Sequence, residues 1–363
     1  MGVIRTLLAL GVLVGHAKSN FLLPMTGGMM AVQAFYIISG FYMGLVLTEK
    51  YTKKSNSYTL FITNRFLRIY PIYWLVLLVT FFVSALSWFV WSEPLCLKGF
   101  FVYPLNSFAL FYTLLVNITV LGQDVLMFVG LNQFDNSFFF TSDFHNTIPR
   151  MHEYLLIQPS WTIALEFTFY LFAPALNRIK TKWLVLLVTL SFLSRFAMYL
   201  NGFYNDPWYY RFFPFELGFF VLGILAYRWY KEGRILNTGH LYKVLIFILF
   251  VFCICFVGSF PGPYMLKSYL VYGFLFLVIP WLFAFTKNSS LDRKIGELSY
   301  PLYICHYPIL EVLNIFKDGF INENNKAYLL LVLSFISAYF INYLVGEHIE
   351  KIRRKRVRSA LII

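Results

Sequence analysis

Charge is what this sequence has least of. Only 13% of its 363 residues are Asp, Glu, Lys or Arg, about half of the roughly 25% found in an ordinary soluble domain. So few charges cannot cover a water-facing surface, which excludes a soluble globular enzyme. Acid is scarcer than base: 17 Asp and Glu stand against 30 Lys and Arg, a net charge of +13. The four cysteines, Cys96, Cys253, Cys255 and Cys305, form no disulfide framework and no metal-ligand spacing. Three lie inside apolar runs, where a thiol serves as a small packing residue. There is no repeat of fixed period and none of the inverted symmetry on which many secondary transporters are built. Low-complexity linkers are missing too. One integral membrane domain, 1–350, is therefore expected, followed by a basic cytoplasmic tail, 351–363.

What the sequence does have is apolar surface: 59% hydrophobic and 21% aromatic residues, with a mean hydropathy of +0.67. Runs near the ~20 residues that cross a bilayer as a helix recur at 3–19, 29–48, 70–90, 160–178, 183–200, 212–229, 242–259, 266–286, 298–316 and 327–346. The expected fold is an all-α polytopic membrane protein of about ten transmembrane helices, since a barrel would show short alternating segments. Lys and Arg collect at 50–68, 177–182, 227–234, 292–296 and 351–360, and thin out at 20–28, 201–210, 260–265 and 317–326. The positive-inside rule places the first set, and both termini, in the cytoplasm. Basic residues confined to short loops also speak against a nucleic-acid partner; membrane lipid is the expected surrounding. With 50–68 and 177–182 on one side, the shorter run at 107–121 cannot be a lone crossing. It is expected to be a re-entrant or interfacial piece of a long external region, 91–159, covered by protein. The opening GVIRTLLALGVLVGHA reads as a retained first helix; a cleaved signal would export a soluble domain, and none follows.

Several ionisable residues fall inside or beside these spans. Arg5 and His16 are eleven positions apart, about 20° past three full turns, so they share a helix face roughly 16 Å apart along the axis. An ionisable side chain within the membrane is a functional candidate by default. In FYIISGFYMG, Ser39-Gly40 permits close helix approach. Arg65 and Arg68 in RFLRIYPIYW share a face if that stretch is helical and suit a phosphate-bearing ligand. PSWTIALEFTFY carries Trp161, Glu166 and, one turn on, Tyr170; a buried carboxylate needs a partner. Glu216 lies within another span, and LSYPLYICHYPI places Tyr300, Tyr303 and His306 on a late helix. His145 and His152 in the external region have no ligand cluster around them, so no metal site is expected.

Taken together, R-x10-H (5–16), FYIISGF (35–41), R-F-L-R-I-Y-P (65–71), S-W-x4-E-x3-Y (160–170) and L-S-Y-x2-Y-x2-H-x-P (298–308) resemble the acyltransferase-3 family of membrane-bound O-acyltransferases, in order and over residues 5 to about 346. The resemblance implies transfer of an acyl group, most often acetyl, from cytoplasmic acyl-CoA to a carbohydrate hydroxyl at or beyond the outer face. The setting it implies is the cytoplasmic (inner) membrane of a bacterium. By position, Arg5 and His16 match the family's paired arginine and histidine, Arg65 and Arg68 its basic motif, and Glu166 and Tyr170 its acid and tyrosine. One departure is Phe167, which stands where the family often has a second acid. Members with a fused extracellular esterase-like domain act in two stages; here acceptor chemistry is expected in the membrane domain or a separate partner.

The expected mechanism assigns His16 as general base, or as the group that first takes the acyl unit. Arg5, Arg65 and Arg68 would hold the phosphates of acetyl-CoA, the donor substrate; no permanently bound cofactor is expected. Glu166 would orient His16, with Tyr170 or Tyr303 polarising the thioester carbonyl, and Ser39, Trp161, Glu216, Tyr300, Tyr303 and His306 would contact substrate. The acceptor is open among polysaccharide, peptidoglycan and lipid-linked sugar. The competing class is an exporter of lipid-linked sugars without acyl transfer.

Overall fold

In lipid, the backbone of a single apolar segment satisfies its own N–H and C=O groups only as a helix, and the computed structural model is helical almost throughout. It describes residues 1–18, 21–51, 57–233, 239–316, 321–322 and 325–362. Parts of the basic stretches 50–68 and 227–234, and of the loops 20–28 and 317–326, lie outside the described residues. The helices are α1 (Gly2–Ala17), α2 (Gly27–Glu49), α3 (Ser57–Trp91), α4 (Lys98–Val102), α5 (Ser107–Thr119), α6 (Trp161–Arg178), α7 (Thr181–Leu200), α8 (Trp208–Arg211), α9 (Phe213–Lys231), α10 (His240–Phe256), α11 (Tyr264–Thr286), α12 (Ser290–Ile315), α13 (Lys326–Ile341) and α14 (Glu347–Ile362). The protein is a polytopic all-α membrane protein.

Each apolar run read from the sequence lies on a helix, but only seven helices are both long and apolar enough to cross a membrane among the described residues. The three that fall short are α1, with 16 residues, and α6 and α12, whose apolar character is broken by Glu166 and by Asp292, Arg293, Lys294, Glu297 and Glu311. These same three helices carry His16, Glu166, Tyr303 and His306. Polar site residues thus interrupt three of the apolar runs, while Ser39, Arg65 and Arg68 lie on α2 and α3, which are apolar enough to cross.

Burial divides the seven among themselves. In α2, 72% of the apolar stretch is buried inside the protein, against 17% in α7 and in Lys326–Ser359. α2 reaches the centre because glycine lets it approach α9: a Cβ added at Gly40 would lie 1.8 Å from the Phe220 carbonyl oxygen, and one at Gly223 2.0 Å from that of Ile37. Small residues at helix crossings allow such approach.

α3 has 35 residues and is about 52 Å long, well beyond the ~30 Å hydrocarbon thickness. Its N-terminal turns carry Arg65 and Arg68 as helical neighbours. At the opposite end of the bundle, residues 92–160 form a cap of short helices and one antiparallel hairpin, β1 (Val129–Leu131) with β2 (Phe138–Phe140), in the register Val129 to Phe140. α5 is joined to this cap by buried polar groups. Asn117 Nδ2 donates to the Tyr154 carbonyl at 2.9 Å, and its Oδ1 accepts from the Leu156 amide at 3.0 Å. Ser160 Oγ donates to Gln123 at 2.6 Å. The other face of α5 exposes Phe108, Phe111, Leu114, Leu115 and Ile118.

Candidate active site

α1, α2, α3, α6 and α12 enclose a cavity of ≈ 90 Å³ lined by Arg5, Ser39, Tyr42, Arg65, Arg68, Thr162, Glu166, Tyr170, Tyr300 and Tyr303 among others. Three guanidiniums share it, and none has an ion-pair partner among the described residues. Arg65 is 3% exposed, yet its Nε has no hydrogen-bond partner among the described residues. Its guanidinium carbon instead lies 5.6 Å and 5.8 Å from the ring centres of Phe61 and Tyr170. One carboxylate, Glu166, faces these cations. Its Oε1 accepts from Ser39 Oγ at 2.7 Å and from the Tyr170 hydroxyl. Of the three guanidiniums Arg65 is buried, Arg5 part-buried and Arg68 exposed.

A second and larger cavity, ≈ 380 Å³, lies where α1, α6 and α12 meet the cap. It is lined by His16, Lys18, His145, His152, Gln158, Trp161, Arg211, Tyr307, Glu311, Asn314 and Lys326, among others. His16 Nδ1 is 2.8 Å from His306 Nε2, and His306 Nδ1 donates to the Tyr303 carbonyl at 2.7 Å. Of the Lys, Arg and Glu side chains in this lining, Arg211 is the one with an ion-pair partner among the described residues. Arg211 forks onto Asp206 at 2.7 Å and 2.8 Å, lies 4.2 Å from the Trp161 ring centre, and His145 Nε2 stands 3.6 Å from Asp206. Burial opposes ionisation of Asp206, but the Arg211 guanidinium and His145 outweigh it and hold the carboxyl below its ordinary range. His152 is pushed down to about 4 by burial and then by Arg211. Its Nδ1 is buried without a partner among the described residues.

The acyltransferase domain family matches residues 1–346 of this chain. The chain belongs to the acyltransferase-3 family. A curated relative, the peptidoglycan O-acetyltransferase OatA of Listeria monocytogenes, is 25% identical over 338 residues, which cover 85% of this chain and 48% of that protein. The chain therefore spans about half the length of that relative. No solved structure matches it.

The acyltransferase-3 motifs distribute between the two cavities. Arg5, Ser39, Arg65, Arg68, Glu166, Tyr170, Tyr300 and Tyr303 line the basic one; His16 and Trp161 line the other. The pairing of Glu166 with His16 read from the sequence is not what the structure has. Glu166 is bonded to Ser39 and Tyr170, and the partner of His16 is His306. The reason is axial offset: Glu166 sits about 7 Å below Trp161 along α6, whereas His16 closes α1 level with Gln158 and Trp161. The Tyr170 hydroxyl is committed to Glu166. That of Tyr303 is committed to Thr162 and the Pro159 carbonyl, at 2.8 Å and 3.2 Å, and that of Tyr300 to the Ile69 carbonyl at 3.0 Å. None of these hydroxyls is free to polarise a carbonyl in this state. Glu216 lines neither cavity. It is 0% exposed and bonded to Arg195 at 2.6 Å and Gln33 at 3.0 Å, with Tyr272 behind Gln33 at 2.7 Å. That network is structural.

Arg211, Lys18, Glu311 and Asn314 are cavity residues that motif reading passed over. Arg211 left a trace in the sequence, as an isolated cation beside a loop otherwise poor in base.

Proposed function

We propose that the chain transfers an acyl group, acetyl above all, from acyl-CoA to a hydroxyl of a cell-envelope carbohydrate, with peptidoglycan the acceptor named for its relative in Listeria. The observation that carries this reading is the convergence of three guanidiniums without ion-pair partners, Arg5, Arg65 and Arg68, on one cavity. Nucleotide phosphates are the ligand such a cluster fits. The larger cavity, with an aromatic face at Trp161 and neutral hydrogen-bonding groups on Gln158, Asn314 and His152, suits a polyol. Under this reading ten helices cross the membrane, both termini are cytoplasmic, and the basic cavity opens on the cytoplasmic side of a bacterial inner membrane. The excess of Lys and Arg at that end supports the orientation.

His16 is the base. As its Nε2 takes the acceptor hydroxyl's proton, the oxygen attacks the thioester carbonyl, the C–S bond breaks, and the thiolate takes up a proton and leaves as CoA thiol. For this to occur the thioester arm extends past Tyr303 and Thr162, which line the basic cavity, toward Trp161, which lines the larger one. Glu166, braced by Ser39 and Tyr170, balances part of the positive charge in the donor cavity and keeps it apart from the base. The test is transfer of label from radiolabelled acetyl-CoA to glycan by membranes containing the protein. The wild type should transfer it; His16→Ala should reduce transfer by about 10²–10⁴-fold while remaining inserted and still binding acyl-CoA. Full activity of His16→Ala would falsify the assignment.

A further inference from the structure

We infer that His306 is a positioning residue that sets the tautomer of His16 and turns the Nε2 lone pair of His16 toward the larger cavity. This rests on the reading of His16 as base. The inference follows from counting protons on four atoms. The Tyr303 carbonyl can only accept, so at 2.7 Å His306 Nδ1 carries a hydrogen. His306 is 0% exposed and forms no ion pair among the described residues; an imidazolium there would be a buried charge without compensation. It is therefore neutral, and its Nε2 is an acceptor. His16 Nδ1, 2.8 Å away, must then be the donor. A neutral His16 that donates through Nδ1 has its basic lone pair on Nε2. The ring centres are 5.1 Å apart and the planes inclined by 13°; with the two nitrogens 2.8 Å apart, so wide a centre separation sets the rings end to end and keeps the N–H···N contact close to both ring planes, as a hydrogen bond requires.

The chain is organised for this. His306 follows Tyr303 by three residues on α12, so its Nδ1 reaches back to a carbonyl one turn earlier. Pro301 and Pro308 bracket the segment. The charged groups acting on His16 are the cations Lys18 and Arg211, and neither supplies an acceptor. Lys326, His145, His152 and the carboxylate Glu311 line the same cavity; Glu311 is hydrogen-bonded to Tyr307, whose ring stands edge-on to His16, and Tyr303 lies beside His306. The hydrogen-bond partner of the His16 ring is His306. His306 supplies an acceptor without adding a charge. When His16 Nε2 takes the acceptor proton, its Nδ1–H bond to His306 strengthens, and the Tyr303 carbonyl dipole stabilises the new charge through His306. The chain stops at that carbonyl, which cannot hold a proton, so the proton stays on the His16 side until the thiolate takes it.

Two measurements test this. Imidazole-¹⁵N spectra of the detergent-purified wild type, assigned with His16→Asn and His306→Asn, should show the hydrogen on Nδ1 in both rings. A hydrogen on His16 Nε2 overturns the inference. In kinetics, His306→Phe keeps the ring and removes both nitrogens, whereas His306→Gln keeps an acceptor for His16. The expected result is a fall in kcat of about 100-fold for Phe at unchanged KM for acyl-CoA, with Gln restoring at least about tenfold of it. Equal loss in both variants, or wild-type kcat in His306→Phe, overturns the positioning role. If His16→Ala stays active, the acyl-transfer reading itself has failed; if His16→Ala is dead and His306→Phe is not, only the role of His306 has.

Discussion

The two cavities carry charge in different ways. The basic cavity collects Arg5, Arg65 and Arg68 around a single carboxylate whose Oε1 already accepts from Ser39 and Tyr170. The larger cavity forks Arg211 onto Asp206 and sets His145 beside the same carboxylate, and its lining mixes Lys18 and Lys326 with Glu311. A cluster of like charges attracts an anion, whereas a lining of both signs and hydrogen-bonding groups favours neither sign. The difference teaches that, under the proposed transfer, donor and acceptor are recognised by different physics, with Thr162 of the basic cavity next in sequence to Trp161 of the larger one.

The comparison fails altogether if the helices that frame it separate, so the largest effect is expected at Gly40. Gly40→Leu forces side-chain atoms onto the Phe220 backbone and drives α2 from α9; the expectation is loss of monodisperse folded protein in detergent, read by size exclusion and a thermal melt. A wild-type melt would show that the close approach is dispensable. Next comes Glu216→Leu, which leaves Arg195 buried and unpaired. Breaking one side of such a pair costs about 3–5 kcal/mol, read as a lower unfolding midpoint. Because Glu216 lines neither cavity, KM for donor and acceptor per folded molecule should stay unchanged. A raised KM would place Glu216 back among substrate contacts.

Arg68→Ala should act on one cavity alone. Losing a charge-assisted hydrogen bond of about 1.5–3 kcal/mol weakens acyl-CoA binding roughly tenfold to a hundredfold, with less salt dependence, while KM for the acceptor holds. Calorimetric titration with acyl-CoA at two salt concentrations measures it. Equal effects on donor and acceptor would mean that the two cavities are one.

The helices were legible because apolar runs leave the chain few alternatives in lipid, but their ends were not. α3 starts at Ser57 and α12 at Ser290 because polar turns continue the helix past the apolar window; Ser289 caps α12 by accepting from the Asp292 amide at 3.1 Å. The motif residues were legible as a set, since each is a polar intruder in an apolar run. Their division between two cavities was not. The Arg5–His16 spacing reports one face of one helix and says nothing of the wall that Thr162 and Tyr303 contribute from elsewhere. Partnerships were hidden for the same reason: His16 meets His306 across 290 positions, and Gln33 meets Glu216 across 183.

The most gradual effect should be found at His152, whose titration reports on the wall of the larger cavity. Its value in the folded protein, about 4, lies below the ordinary 6.5 because burial and then Arg211 disfavour the proton. Between those values the unfolded chain binds the proton and the folded one does not, so stability falls as pH falls. The contribution is complete above pH 6.5 and is lost as pH drops through about 4. His152→Gln, which cannot titrate, should flatten the dependence of the melting temperature on pH between 6.5 and 4, and leave the basic cavity's affinity for acyl-CoA unchanged over the same range. If the variant's melting curve keeps the wild-type slope, the acid sensitivity belongs to another group, and the larger cavity tolerates a charged imidazole at its wall.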